Sequence, residues 1–385
     1  MIDQIDGANI VSPRVQPSAD SITAQVSGGD RKRPSRLSRV EAALSNLRSG
    51  QMVIIVTEDA DREVGHLAMC AGHATPDAVN FMAAQGRGIV SLVISQADVD
   101  RLQLPMQQRR SGPVGRAAPV SIEASSGVST GISTADRART IQVAADPAST
   151  PEDLVSPGHV FPLLAKDDGV FALPGPAEMA ADLSRLAGTA GTSVICAILD
   201  DRGDHAGSDR LQAMSTSFQL PIVSAADLLE YRSRCDRQLE LAREKRVSMV
   251  AGGELRAVVY RSAMSGSEVL ALVGQSGSAL QSPVFVQQGL FLADQIGAGR
   301  NMGGFHEALR ELERRGHGTI IILGNRSASS LSMALNDVYE RQAIPFAGWT
   351  LAGRVLVELG LGCVELLDAS PEGAAILRQF GLGTR

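Results

Sequence analysis

The segment EDADREVGHL, residues 58–67, sets Glu58, Asp59, Asp61 and Glu63 beside Arg62 and His66, directly after the apolar run MVIIVT. Carboxylates at this density can hold a hard divalent cation, which takes oxygen ligands, or can move protons next to a polarised carbonyl. The same residues also describe a solvated turn, and the segment by itself leaves both readings open. A second polar stretch, STGISTADR at 129–137, offers hydroxyls, an aspartate and an arginine. Its local reading is a helix start capped by Ser133 or Thr134, with Asp136 paired to a neighbouring arginine. His159, in PGHVFP, is either a satisfied core histidine or a proton carrier, since imidazole titrates near neutrality. GRNMGG, residues 299–304, has the composition of a phosphate cradle, although short glycine-rich turns are common.

The elements that must position these residues follow from apolar spacing. VEAALSNLRSG reads as an amphipathic helix closed by Gly50, and MVIIV as a strand that delivers the acidic turn at its end. TPDAVNFMAAQG, capped by Thr75, and ADVDRLQL read as helices on either side of the strand GIVSLVIS. A loop over 107–119 precedes the strand VSIEAS; the helix AEMAADLSRLAG and the strands SVICAIL and PIVS follow. The charged stretch 225–246 has the alternating signs of an exposed connecting helix between two halves. Beyond it, LRAVVYRS, EVLALVG, PVFVQQG, TIIILG and CVELLD are strands, while GGFHEALRELERRG and LAGRVLVELG are helices.

Size and charge bound the function. A chain of 385 residues can bury two cores, and a net charge of −6 with 44% apolar residues fits a soluble protein with no nucleic-acid-binding surface. No run reaches the roughly 18 to 20 apolar residues that cross a bilayer, so the expected location is the cytoplasm without membrane attachment. Cys70, Cys196, Cys235 and Cys363 lie too far apart in sequence for a zinc motif, and reduced, mostly structural thiols are expected. Residues 1–36, rich in Ser, Pro and Gly and ending in DRKRPSRLSR, have the composition of a disordered tail.

Across residues 38–232 the blocks VEAALSNLRSGQMVIIVTEDADRE, ATPDAVNFMAAQGRGIV, LQLPM, STGISTADRARTI, SPGHVFPLLAKDDGV and SAADLLEYR resemble 3,4-dihydroxy-2-butanone 4-phosphate synthase. That family converts ribulose 5-phosphate to a four-carbon phosphate and formate. Residues 247–385, through LRAVVYRS, LALV and LGLGCVELL, resemble a shortened GTP cyclohydrolase II. The order of halves is that of the fused riboflavin enzyme. The resemblance implies an α+β protein with two domains: the synthase-like α/β domain over 37–232 and the cyclohydrolase-like α+β domain over 247–385, joined by the 225–246 helix.

The resemblance also assigns roles, and here the chain departs from the pattern. Arg62 and Glu63 match the family's Arg-Glu pair, but the second glutamate of that turn has no counterpart and His66 stands where an aspartate is expected. The Arg-Gly-Gly-His-Thr-Glu stretch reads LPGPAE, so Leu173 replaces a phosphate-binding arginine and Pro176 a magnesium-binding histidine, while Glu178 is kept. A catalytic glutamate falls at Ala197 and a cysteine at Ser91. Arg62, Glu63, His159 and Glu178 are thus the catalytic candidates, and Thr130, Ser133, Asp136 and Arg137 the substrate-binding ones. Glu63 is the retained candidate for Mg²⁺. In the second half the three zinc cysteines fall at Leu290, Asn301 and Gly303, and the guanine-recognition stretch becomes GNRSASS, so zinc and GTP ring opening are not expected.

Loss of a single general acid or base costs about 10² to 10⁴ in rate, and several such losses together are not absorbed. The expectation is a riboflavin-biosynthesis-type protein in flavin-linked or specialised metabolism. It would bind a small ligand, a phosphosugar or a flavin-related molecule, or a family partner, without the two original reactions. The alternative is a changed lyase or isomerase reaction on a phosphosugar-like substrate in the first domain. The family builds its pocket across a homodimer, so the resemblance implies a dimer.

Overall fold

Helix α1 (Arg36–Arg48) starts where the Ser35 hydroxyl accepts the Ser38 amide, and it buries Val40, Ala43, Leu44 and Leu47, the spacing of one helical face. The computed structural model describes residues 35–59, 62–107, 118–235, 239–248, 254–263, 265–274, 282–288, 302–324, 344–368 and 370–384. Apart from Ser35 and Arg36, the expected tail lies outside them. The end of its basic stretch is not solvated tail: Arg36 and Arg39 sit in α1 and pair with Asp227 and Glu230 of a later helix.

Strands β1 (Val53–Asp59) and β2 (Arg62–Cys70) form an antiparallel hairpin whose register runs from Val53↔Ala68 to Asp59↔Arg62. Helix α2 (Pro76–Phe81), capped by Thr75 as expected, passes through one π turn into β3 (Arg87–Ile94). Helix α3 (Gln96–Arg101) has a Ser95/Asp98 capping box. Then come β4 (Ile122–Ala124), α4 (Thr134–Ala145), β5 (Leu154–Leu164), α5 (Pro176–Leu186), β6 (Ser193–Ile198), α6 (Ser208–Phe218), β7 (Ile222–Ser224) and α7 (Ala225–Cys235). These strands make a seven-stranded mixed sheet in the order β4-β5-β3-β6-β2-β1-β7.

Side chains alternate across this sheet, so each strand serves two layers. Ala68, Cys70, Val93 and Ile195 join the core under α1, α5 and α7. Leu67, Met69, Leu92, Val194 and Cys196 join a second core with Val79 of α2 and Ala138 and Ile141 of α4.

The expected 225–246 helix is shorter and ends at Cys235. Residues Leu239–Ser248 are instead strand β8, paired antiparallel with β9 (Glu254–Ser262). LELAREKRVS is built of good helix formers, but the hydrogen-bonding edge that β9 offers outweighs that preference. β10 (Glu268–Val273), β11 (Ser282–Gln288), α8 (Met302–Arg315), β12 (Thr319–Leu323), α9 (Phe346–Glu358), β13 (Cys363–Leu366), α10 (Pro371–Gln379) and β14 (Gly383–Thr384) complete the second half. Its sheet also has seven strands, ordered β14-β13-β11-β12-β10-β9-β8.

The two sheets share one apolar core. Val40, Phe171, Met179 and Leu229 of the first half belong to the same buried cluster as Tyr260, Trp349, Val355 and Phe380 of the second. Ser35–Arg385 accordingly pack as one compact unit. Among the described residues no helix is long and apolar enough to cross a membrane.

Candidate functional site

Three positions to which the resemblance assigns chemistry fall together on one face of the first sheet. His66 on β2 is the direct partner of Ala197 on β6, and Ser91 on β3 is the partner of Ile195, two residues before Ala197. By strand alternation all three project on the side of Ala68, Val93 and Ile195, the side on which α5 packs. Where the resemblance expects aspartate, glutamate and cysteine, the sheet offers an imidazole, a methyl group and a hydroxyl.

The imidazole is unusual. Its Nδ1 is buried without a hydrogen-bond partner among the described residues. Burial, with a smaller repulsion from His205, lowers the His66 pKa to about 4. The two rings lie 6.5 Å apart, centroid to centroid. His66 is therefore neutral near pH 7, and it does not supply the negative charge of the aspartate it replaces.

At the turn end of the hairpin, Glu58 and Glu63 are exposed cross-strand partners. Like charges set opposite each other repel, so a pair of this kind relies on solvent or a cation. Strand alternation sends Glu63 to the face opposite His66. Arg62 is exposed as well, while Asp61 and the Asp59 side chain lie outside the described residues. Among the described residues no three His, Cys, Asp or Glu side chains converge as a metal site. Among the described residues the Mg²⁺ that the resemblance implies finds no fitting ligand set there.

A second constellation assembles on β4, β5 and the loop before α4. His159 Nδ1 lies 2.7 Å from Glu123 Oε2, and the Thr140 hydroxyl donates to Glu123 Oε1 at 3.3 Å. Gly131, at φ +80°, presses its Cα against that carboxylate; a Cβ there would stand 2.0 Å from Glu123 Oε2. Gly158 is equally constrained, since a Cβ would come within 2.2 Å of the Ile122 backbone. A carboxylate on one imidazole nitrogen sets the tautomer and orientation of the ring, and the His159 side chain remains 45% exposed. Glu123 was missed in the sequence; the available signal was one acidic residue inside the apolar strand VSIEAS.

Asp136 organises the loop, but through a different partner from the expected arginine. Its carboxylate accepts the Ser129 amide, the Ser129 hydroxyl and the Gly131 amide at 2.9–3.1 Å. Burial raises its pKa, and hydrogen bonds from Ser129, Ser133 and Gly131 outweigh that effect, leaving it below the ordinary value. Ser133 is the helix cap, accepting the Asp136 amide, and Thr130 is exposed. Arg137 is partly buried, and its Nε has no hydrogen-bond partner among the described residues. His159 and Thr140 thus meet at Glu123, and Gly131, whose amide Asp136 holds, packs against the same carboxylate.

Glu178 is elsewhere in character. It is fully buried, and Oε1 accepts the Lys166 amide at 3.1 Å. That contact ties the end of β5 to the first turn of α5, the role of an internal anchor and not of a solvent-facing acid. Of the thiols, Cys70 and Cys196 are buried, Cys363 is partly buried, and Cys235 is exposed. In the second half Leu290, Asn301 and residues 325–330 lie outside the described residues, and Gly303 falls in the first turn of α8.

Comparisons with known proteins agree with this architecture. The family model described as 3,4-dihydroxy-2-butanone 4-phosphate synthase matches residues 41–231, and that described as GTP cyclohydrolase II matches residues 239–384. A 3,4-dihydroxy-2-butanone 4-phosphate synthase of Neisseria meningitidis serogroup B is 39% identical over 358 residues, covering 90% of this chain and 97% of the relative. The riboflavin biosynthesis protein RibBA of Salinispora arenicola is 33% identical over 364 residues, covering 89% and 86%. The crystal structure of RibBX, a two-domain 3,4-dihydroxy-2-butanone 4-phosphate synthase from A. baumannii, superposes with a TM-score of 0.71 at 28% identity. It covers 90% of this chain and 99% of that one.

Proposed function

Because the chain belongs to the 3,4-dihydroxy-2-butanone 4-phosphate synthase family and carries a GTP cyclohydrolase II-type second domain, we propose that this riboflavin-biosynthesis-type protein binds a small metabolite without the family's pentulose phosphate cleavage. The ligand class is a phosphosugar-like polyol or a flavin-related molecule. The observation that carries the proposal is the sheet face shared by Ser91, Ala197 and His66. Ser91, Ala197 and His66 supply no carboxylate or thiolate to abstract a carbon-bound proton, and the Pro176 side chain has no atom to bind a metal. The geometry retains hydroxyls, amides and the His159–Glu123 pair, a set that recognises a polyol by hydrogen bonding.

The test is direct. Purified protein with ribulose 5-phosphate and Mg²⁺ is expected to release formate at background rate; turnover of about 1 s⁻¹ or faster, ordinary for an enzyme, overturns the reading. In parallel, sugar phosphates and flavins are screened for thermal stabilisation. A ligand at about a hundred times its Kd adds roughly 2.7 kcal/mol to stability, which is easily read as a rise in Tm.

A second reading, a changed isomerase or lyase reaction, is favoured by one observation: an exposed imidazole backed by a carboxylate is a working acid–base device. Consumption of a stabilising ligand, followed by NMR, selects it. A homodimer is part of the proposal. Ile89 on β3 and Val155 and Phe161 on β5 are 67%, 49% and 45% exposed beside His159, and a second copy covering them supports a completed pocket. Light scattering that returns the monomer mass at micromolar concentration removes this part.

A further inference from the structure

The segment leading from β5 into α5 contains Leu173 and Pro176, where the family's phosphate-binding arginine and metal-binding histidine are missing. It is also where the second domain grips the first. Phe171 is 2% exposed. The Arg232 guanidinium lies 4.3 Å from the centre of its ring, the Arg354 guanidinium of α9 lies 4.6 Å away, and the Phe380 ring stacks on it at 6.0 Å. The backbone is held too. The Thr350 hydroxyl of α9 donates to the Phe171 carbonyl at 2.6 Å, and the Ser262 hydroxyl of β9 donates to Asp168 Oδ1 at 2.8 Å.

Contacts within the first domain complete the clamp. Arg232 Nη1 donates to the Asp168 carbonyl and to Asp182 Oδ2, and the Val170 amide donates to the same Asp182 oxygen. From this anchored point the chain passes through short turns, with Leu173 N–H bonded to Gly169 O and Gly175 N–H to Leu173 O, directly into Pro176 and α5. Flexibility in the turn is limited by what holds Phe171. A residue held at its ring by two guanidinium groups and a second ring, and at its carbonyl by a hydroxyl, has one arrangement to offer the next four residues.

We infer that the second domain is a positioning element for the first: Thr350, Arg354 and Phe380 hold Phe171 and thereby order the 172–175 turn at the start of α5. This gives a domain without zinc cysteines a continuing reason to keep its fold. That the ordered turn serves a bound ligand rests on the binding function proposed above; the ordering itself does not.

Hydrogen exchange on the full-length chain separates the two. Thr350→Val and Phe380→Leu are expected to speed exchange of the Val170, Ala172, Leu173 and Gly175 amides by about tenfold or more. Peptides of α2 and α4, on the far side of the first sheet, should exchange as in the parent. Thr350→Ser, which keeps the hydroxyl, should restore the slow rate, and Val357→Ala, on the exposed side of α9, should change nothing. Unchanged exchange over 170–175 in both Thr350→Val and Phe380→Leu overturns the inference, and so does an acceleration spread evenly over the whole chain. Thermal shift with ribulose 5-phosphate as the probe is run on the same proteins. A shift in the parent that shrinks in Thr350→Val supports the link to binding; no shift in the parent counts against the binding proposal alone, while the exchange data still decide the positioning role.

Discussion

Ala197 on β6 stands directly opposite His66 on β2, so the methyl group and the imidazole share one face of the first sheet. Partners of this kind have Cβ atoms about 4.5–5.5 Å apart. Ala197→Glu would therefore set a carboxylate against the buried ring and favour its protonated form. The His66 pKa, now held near 4 by burial and by His205, is expected to rise by at least one unit. An NMR titration of the ring protons reads it. A value still near 4 would mean that the two side chains do not face each other.

The same histidine makes stability depend on acidity. Its folded pKa is depressed below the unfolded value of about 6.5, so between those pH values the unfolded chain binds more protons. Stability present above pH 6.5 is lost as the pH falls toward 4, by an amount on the order of 3 kcal/mol at most. Urea unfolding of the parent and of His66→Gln at pH 7.5 and pH 5 gives the comparison. The parent should weaken more than the variant; equal losses would place the acid-sensitive group elsewhere.

Glu123 receives His159 on one oxygen and Thr140 on the other, with Gly131 packed against both. Glu123→Ala removes the acceptor and leaves a void under the 129–133 loop, with an expected cost of about 1–3 kcal/mol. Glu123→Gln keeps the shape and one acceptor and should cost less. Equal costs in denaturant unfolding would show that the carboxylate contributes only volume.

Much of this arrangement was legible in the sequence. Apolar runs such as MVIIV, GIVSLVIS and TIIILG became central strands because a strand buried on both faces needs no alternation. The caps at Thr75 and Ser133 are local and were readable for that reason. Two things were not. LELAREKRVS carries helix-forming residues, and only its pairing with β9 makes it a strand. Glu123 and His159 are 36 residues apart, and nothing in either segment announces that β4 and β5 bring them into contact.

Gly158 offers a sharper test of the close approach of β4 and β5. A Cβ at this position meets the Ile122 carbonyl carbon and oxygen at 2.2 Å, contacts that backbone cannot yield without separating the strands. Gly158→Ala is expected to destabilise by several kcal/mol, more than the roughly 1 kcal/mol typical of a point change. A drop in Tm below about 2 °C would contradict the packing at His159.

Asp182 lies at the centre of a buried ion network and differs from its partners in what its removal exposes. It is 2% exposed and accepts from Arg232 at 2.6 Å, from Arg185, and from the Val170 amide at 2.8 Å. Asp182→Ala removes the carboxylate that offsets the charge of Arg232, itself 2% exposed, and removing one partner of such a buried pair costs about 3–5 kcal/mol. Arg232→Met should cost less, because Arg185 and the Val170 amide still compensate the aspartate and methionine fills much of the space. Denaturant unfolding of the two variants gives the order. If Arg232→Met proves the more damaging, the arginine's place on the Phe171 ring, and not its charge pairing, is what the fold depends on at this junction.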